Sequence, residues 1–323
     1  MFKIGNVEIN GKVILGPMAG VTSLAYRDFM KPFGVALSVT EMVSASGLIY
    51  ENQKTFDYIK TSKIDNPVAI QLFDGDAEKI VKAMKVVIDS GVRFDMFDIN
   101  LGCPVPKVTD AGAGSSLLKD TDKLYEFMRV VVENSPKPVT AKIRLGWDEK
   151  SINVLENVKA LEKAGVAAIA IHARTRKQLY EGEPNYEILR NLRDSMSVPL
   201  IVSGNIFSLE DAIKAIEITH ADAVMVARGG IGNPMLVKQI DEYFKTGKII
   251  ESPSLKKNVE LMIQYVDMLI EEKGEYRAMK IARGIVPKFL NGYPGMKQVK
   301  NEIAQNVNTK ENLLSILKRH EII

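Results

Sequence analysis

Eight short apolar runs rich in β-branched residues recur along the chain: Val13–Met18, Ala36–Val43, Val68–Phe73, Met96–Gly102, Val139–Leu145, Ala168–Ala173, Pro199–Gly204 and Ala223–Gly229. Each is nearly continuous in hydrophobicity, which is the pattern of strands buried on both faces and not of a half-solvated sheet. Helix-period segments separate them: Thr22–Pro32, Asp76–Ser90, Thr121–Glu133, Ser151–Ala164, Tyr186–Ser195, Ser208–Thr219 and Pro234–Thr246. The stretch Ser44–Asn52 carries the weakest helical signal. Strands that alternate with helices make a parallel sheet, and eight of them close a (β/α)8 TIM barrel. A doubly wound open sheet would place G-x-G-x-x-G after its first strand. Here the first run ends Gly16-Pro-Met-Ala-Gly20, and no stretch of the chain fits that fingerprint.

The strand signal stops after Lys248. Ser254–Glu272, Glu275–Asn291 and Thr309–Arg319 read as amphipathic helices, broken at Gly274 and at Gly292-Tyr-Pro294-Gly295. The expected organisation is a catalytic barrel over residues 1–247 and a small all-α helical domain over 248–323. No run reaches the roughly eighteen apolar residues of a membrane span. The start MFKIGNVEING lacks the apolar core of a secretory signal. One cysteine cannot form an internal disulfide, and His172, His220 and His320 have no zinc-ligand spacing. These features predict a cytoplasmic protein without a metal. The net charge is +3, and residues 251–323 hold all of it, with twelve Lys/Arg against nine Asp/Glu. A charge excess of that size fits an ordinary solvated helix face as well as a polyanion-binding one.

Barrel chemistry collects where the strands end, because the βα loops converge there. The third run ends Gln71-Leu-Phe73. The fourth carries Asp98, Asn100 and Gly102-Cys103, the fifth Lys142 and Arg144, and the sixth His172 and Arg174. A spacing of two puts Lys142 with Arg144, and His172 with Arg174, on one strand face. Such a cluster is costly unless an anion sits among it, or unless Asp98, Glu41 or loop carboxylates pair with it. The seventh and eighth runs end Ser203-Gly204-Asn205 and Ala227-Arg228-Gly229-Gly230, two glycine turns where barrels commonly bind phosphate. A phosphate-bearing cofactor is therefore expected.

Pro17-Met18-Ala19-Gly20-Val21-Thr22, Asn100-Leu-Gly-Cys103-Pro104, Lys142-Ile-Arg144, His172-Ala-Arg174-Thr-Arg176 and the two glycine turns together resemble the bacterial tRNA-dihydrouridine synthases. Cys103-Pro-Val-Pro-Lys107-Val is most similar to their B-type branch. The resemblance implies FMN across the barrel mouth and NADPH or NADH as its reductant. Pro17, Met18 and Ala19 would pass under the flavin ring, and Gln71, Lys142 and His172 would hydrogen-bond the ring or its ribityl chain. Ser203, Gly204, Asn205, Ala227 and Arg228 would hold its phosphate. Asn100 would orient the uracil, and Arg144, Arg174 and Arg176 would meet the RNA. Two positions depart from the family pattern: Ala227, where glycine is expected, and Glu183-Pro184, where a smaller, less charged continuation is expected.

Reduction of the uracil C5=C6 bond needs a hydride at C6 and a proton at C5. A thiol is mostly protonated at neutral pH yet far more acidic than serine, so Cys103 suits the proton donor. Read alone, a single cysteine is better explained as a small buried apolar residue; its place at the tip of the fourth run beside Asn100 favours the acid. For tRNA as the partner, Lys280 and Arg283 lie on a basic stripe with Arg277 and Lys288, provided that the helix runs as far as Pro287. Two other functions compete. A dihydroorotate dehydrogenase-like flavoprotein would act on a free pyrimidine and need no basic helical surface. A non-catalytic RNA-binding barrel would have no use for the Asn100, Cys103, Lys142 and His172 set.

Overall fold

The structure, a computed structural model, describes all residues from Met1 to Ile323. Each of the eight apolar runs contains a strand. They follow a short hairpin, β1 (Phe2–Ile4) and β2 (Val7–Ile9). The strands are β3 (Val13–Leu15), β4 (Val35–Val39) with its brief extension β5 (Val43–Ser44), β6 (Val68–Phe73), β7 (Met96–Asn100), β8 (Val139–Arg144), β9 (Ala168–His172), β10 (Leu200–Ser203) and β11 (Ala223–Val226). Neighbours pair in parallel from β4 through β3, β11, β10, β9, β8 and β7 to β6, and the β4–β6 pairing closes the barrel. Apart from β6, the ladders are shorter than the apolar runs, because the last residues of most runs leave the sheet to build the mouth.

Small inward side chains fill the interior: Ala36, Ala69, Ala168, Ala170 and Ala223 interleave with Ile14, Met96, Ile201 and Met225. The β1–β2 hairpin, too short to register as a periodic signal in the sequence, closes one end with Ile4 and Ile9, both fully buried. Its turn residue Gly5 lies against Pro138 and Ala167, which precede β8 and β9, so the plugged end is the N-terminal one. The C-terminal ends are left for chemistry.

The outer core between barrel and helices continues without a break into the C-terminal helices Leu255–Lys273, Glu275–Ile285, Lys297–Asn306 and Lys310–Arg319. The joint is aromatic. Tyr26 and Phe29, on the first barrel helix Leu24–Met30, pack on Tyr265 at 5.8 and 5.4 Å between ring centroids. Phe289 stacks on Tyr265 at 6.1 Å. Burying side chains of this size stabilises by about 1.5–3 kcal/mol each. Glu272 adds a polar link, accepting at 2.8 Å from the amide of Ala25 in the first turn of Leu24–Met30, where a carboxylate also complements the helix dipole.

Three expectations are corrected. Tyr186–Ser195 is not an α-helix but two 3-10 turns, Tyr186–Leu189 and Leu192–Ser195, parted by Asn191 at φ 53°. The buried residues Tyr186, Leu189 and Leu192 recur every three positions, which is the 3-10 period. The helix expected to run to Asn291 ends at Ile285 and tightens into a 3-10 turn, Val286–Leu290, where Pro287 has no amide hydrogen to give. Lys297–Asn306 is an additional helix. It buries only Val299 and Ile303, so its apolar periodicity is too thin to read.

Candidate active site

A cavity of about 430 Å3 opens at the C-terminal ends of the strands. Pro17, Met18, Ala19, Gln71, Asn100, Cys103, Lys142, Arg144, His172, Ser203, Gly204, Asn205, Ala227 and Arg228 all line it. The elements that carry them are far apart in sequence and meet only because the barrel closes.

A buried polar relay orients the floor. Asp98 accepts from the Thr140 hydroxyl at 2.5 Å and from Gln71 Nε2 at 2.6 Å. A carboxylate only accepts, so Gln71 must turn its NH2 inward and show Oε1 to Asn100, whose Nδ2 donates at 2.8 Å. The Asn100 Oδ1 is thereby directed to the backbone amides of Gly102 and Cys103, at 3.1 and 2.8 Å. One buried carboxylate fixes two amide orientations and, through them, the turn that carries the thiol. Burial pushes the Asp98 carboxyl up, while its hydrogen bonds and the Lys142 charge pull it down. Cys103, 9% exposed, is held from the other side as well, its carbonyl accepting from the Ser115 hydroxyl at 2.8 Å.

None of the mouth cations forms an ion pair with a carboxylate, although Asp98 lies near enough to favour the charge on Lys142. Arg144 spends its guanidinium on the carbonyls of Gly102, Thr175 and Leu179 at 2.8–2.9 Å. Burial lowers it to about 10, so it stays charged at neutral pH. Lys142 is lowered to about 8, first by burial and then by the adjacent Arg144. Arg174 donates to His172 Nε2 at 3.2 Å. Because a guanidinium cannot accept, that nitrogen is the acceptor and Nδ1 carries the ring proton. Burial and the ring of surrounding cations keep His172 neutral, well below its ordinary pKa.

The strand-one turn is shaped by two polar contacts. Met18 N donates to the Thr22 hydroxyl at 2.9 Å, and Gly20 N donates to Glu41, whose carboxyl is raised by burial. The seventh and eighth turns touch at Gly229, where a Cβ would sit 1.9 Å from the Ile206 carbonyl oxygen, so only glycine allows that approach.

The arginines expected to meet RNA separate. Arg174 is fully buried and donates to the carbonyls of Glu181 and Gly182 and to Asn205 Oδ1, tying them to the end of β9; it faces no solvent. Arg144 is 2% exposed and latches the loops after β7 and β9 through three carbonyls, so it borders the cavity as a clamp with little surface for a polymer. Arg176 lies half-buried with its guanidinium on the Trp147 ring at 4.5 Å. On the helix Glu275–Ile285, Lys280 is exposed against Tyr276, whereas Arg283 is half-buried and donates to the Val307 carbonyl and to Asn308. Lys288 lies beyond the end of that helix, so the expected single stripe breaks up. A rim feature was missed: Val105, Tyr180 and Phe207 are 50%, 54% and 48% exposed around the opening. The guanidinium of Arg228 sits 4.7 Å from the Tyr180 ring and 5.6 Å from Phe207. Exposed aromatics at a cavity edge were the one available signal, and periodicity does not register them.

Fold and site together define a (β/α)8-barrel enzyme with one cationic mouth cavity that contains one free thiol. The profile of the dihydrouridine synthase family matches residues 14–322, and the chain belongs to that oxidoreductase family. It is 33% identical over 304 residues to the probable tRNA-dihydrouridine synthase of Rickettsia bellii, covering 94% of this chain and 93% of that one. Similarity to the bacterial B-type members is of the same order: 32% over 317 residues with tRNA-dihydrouridine synthase B of Pasteurella multocida, 97% and 94% of the two chains. Among solved structures, a chain of the Amycolatopsis orientalis BexX/CysO complex shares the fold with a TM-score of 0.51 at 17% identity, covering 78% of this chain and 98% of that one.

Proposed function

We propose that this protein reduces the C5=C6 bond of uridines in tRNA, with FMN as its bound cofactor, NADPH or NADH as the reductant and Cys103 as the proton donor to C5. The observation that carries the reading is the pairing, in one cavity, of a lone free thiol with Lys142, Arg144 and Arg228, none of which forms an ion pair with a carboxylate. An anionic cofactor suits that lining. Lys142, the Nδ1–H of His172 and the Arg228 guanidinium are donors with no ion-paired carboxylate, and the glycine at 229 lets the two turns where phosphate is expected pack directly against each other. Gln71, Pro17, Met18 and Ala19 would complete the cofactor's surroundings.

Bound flavin would supply the hydride that adds to C6. The chain's own residues do the rest. Cys103 holds a proton at Sγ and gives it to C5, and the resulting thiolate recovers a proton from solvent after product leaves. Asn100, with Oδ1 committed to the turn, keeps an amide hydrogen for a pyrimidine carbonyl. Exposed Tyr180, Phe207 and Val105 offer a surface on which a base drawn out of the tRNA stack can lie. Residues 1–247 would act as the catalytic unit and 248–323 as an RNA-binding unit, with Lys280 and Arg176 among the cations left for the phosphate backbone. Arg144, Arg174 and Arg283 serve this reading as clamps.

The test is dihydrouridine formation in unmodified tRNA by the purified, yellow protein. Cys103→Ala should retain flavin and tRNA binding and lose most turnover, on the order of a hundredfold or more for a missing general acid. Near-normal dihydrouridine yield in that variant would remove the thiol from the mechanism.

A further inference from the structure

The tip of the strand-one turn has little to pack on. Ala19 and Gly20 are exposed, Gly20 stands at φ +75°, and a Cβ placed there would meet nothing within 4 Å. The tip is tied to another part of the barrel by the amide of Gly20, which donates to Glu41 Oε2. Glu41 belongs to the short connection between β4 and β5 and is 6% exposed. It does not line the mouth cavity, although Pro17, Met18, Ala19 and its own neighbour Met42 do. The far end of the same segment is held in the same way, by Glu272 at the Ala25 amide. Lys273 pairs with Glu272 at 2.7 Å, and its charge also favours the ionised form of Glu41. Arg27, the other cation that acts on Glu41, is engaged by Asp65 at 2.7 Å. The cation that serves both carboxylates therefore comes from the end of the C-terminal helix Leu255–Lys273.

A buried carboxylate needs a nearby cation, and in return it holds a backbone N–H more firmly than a neutral acceptor can. A ligand that lies on a turn held in this way has less ordering to do when it binds. We propose that Glu41 is a positioning residue for the cofactor: it fixes the turn that Pro17, Met18 and Ala19 offer to the flavin, and Lys273 of the C-terminal helix keeps it charged. Neither side chain lines the cavity, so both act through the backbone of residues 17–20. The inference deepens the function proposed above and rests on it, since it takes flavin as the ligand on the turn. Residues 248–323 then contribute to the cofactor site as well as to an RNA surface.

The variants are Glu41→Gln, which keeps an acceptor and removes the charge, Glu41→Ala, Lys273→Met, the double variant Glu41→Gln with Lys273→Met, and Glu271→Gln as an exposed control. FMN affinity of the stripped proteins is read from the quenching of flavin fluorescence. Glu41→Gln should weaken FMN by about three- to tenfold and Glu41→Ala by more, while Glu271→Gln should bind as the parent does. Lys273→Met should weaken FMN about threefold in the parent and no further in the Glu41→Gln background, because the cation acts through the carboxylate charge. Hydrogen exchange of the flavin-free proteins should speed up about tenfold at the amides of residues 18–22 in Glu41→Ala, and less in Glu41→Gln. A parent that binds no FMN would count against the proposed function, and the exchange rates would still decide whether Glu41 holds the turn. A parent that binds FMN, with Glu41→Gln at parent affinity, would overturn the positioning role, as would unchanged exchange at residues 18–22 in both Glu41 variants. Equal losses from Lys273→Met in the two backgrounds would take the helix out of the cofactor site.

Discussion

Lys142 allows a direct measurement of what the cationic floor costs the fold. Its ammonium is lowered from 10.5 to about 8, by burial first and by Arg144 second, with Asp98 pulling the other way. A displacement of that size corresponds to about 3 kcal/mol against the charged form. Lys142→Met keeps the volume and removes the charge. It also takes away a cation that helps to hold the Asp98 carboxylate ionised, which returns roughly 1 kcal/mol of the gain. The flavin-free variant should therefore be more stable than the parent by about 2 kcal/mol at about pH 7. The sign with pH follows from linkage. Below about 8 both folded and unfolded states hold the proton, and the full cost is present. Between about 8 and 10.5 the unfolded chain binds more protons, so the parent gains stability as pH rises, and above that the cost has gone. The gap between parent and variant should close over that interval, as read by urea denaturation of stripped protein at about pH 7 and about pH 9.5. FMN should stabilise the parent more than the variant, because the anion gives the ammonium a partner. A variant that is less stable than the parent at about pH 7, or a gap that does not change with pH, would refute the claim that burial and Arg144 outweigh Asp98 at Lys142.

Other expectations follow from the same geometry. Gln71→Leu breaks the relay between Asp98 and Asn100; it should cost roughly 2–4 kcal/mol of stability by stranding two buried polar groups, and should lower kcat more than it raises KM for tRNA. An unchanged kcat in a folded, flavin-bound Gln71→Leu protein would show that the relay does not position the thiol turn. Phe289→Ala empties the aromatic joint between the barrel and the C-terminal helices and should lower stability by about 3–5 kcal/mol in equilibrium unfolding. Lys280→Glu should weaken tRNA binding and flatten its dependence on salt, measured by filter binding across an ionic-strength series, whereas Arg283→Glu should act mainly on stability through the 307–308 turn.

The strands of the barrel were legible because a strand buried on both faces must be apolar almost throughout, and that condition leaves an uninterrupted mark in the chain. The same local pattern placed Gln71, Asn100, Cys103, Lys142 and His172 at or just beyond strand ends, where polar groups interrupt the runs. What periodicity could not carry was side-chain direction beyond the ladder. Arg144 and Arg174 alternate correctly with their neighbours, yet the loops that fold back over β8 and β9 supply carbonyls that draw both guanidiniums inward. Tyr180 and Phe207 stand in irregular segments, so no repeat marks them, and only the closed mouth gives them a common edge. The Glu275–Ile285 stripe broke because a helix end at Ile285 turned Lys288 towards a different cavity.

By itself the sequence determined that eight buried strands alternate with helices, that helices follow them, and that one thiol stands at the end of the fourth strand. Tertiary structure alone decided which cations face an open cavity and which are spent on loop carbonyls, and that a buried carboxylate at Asp98 orients the amides beneath the thiol. The physical reason is range. Burial of a strand is enforced residue by residue along the chain, whereas the orientation of a polar group is set by whichever partner the closed barrel brings within hydrogen-bonding distance.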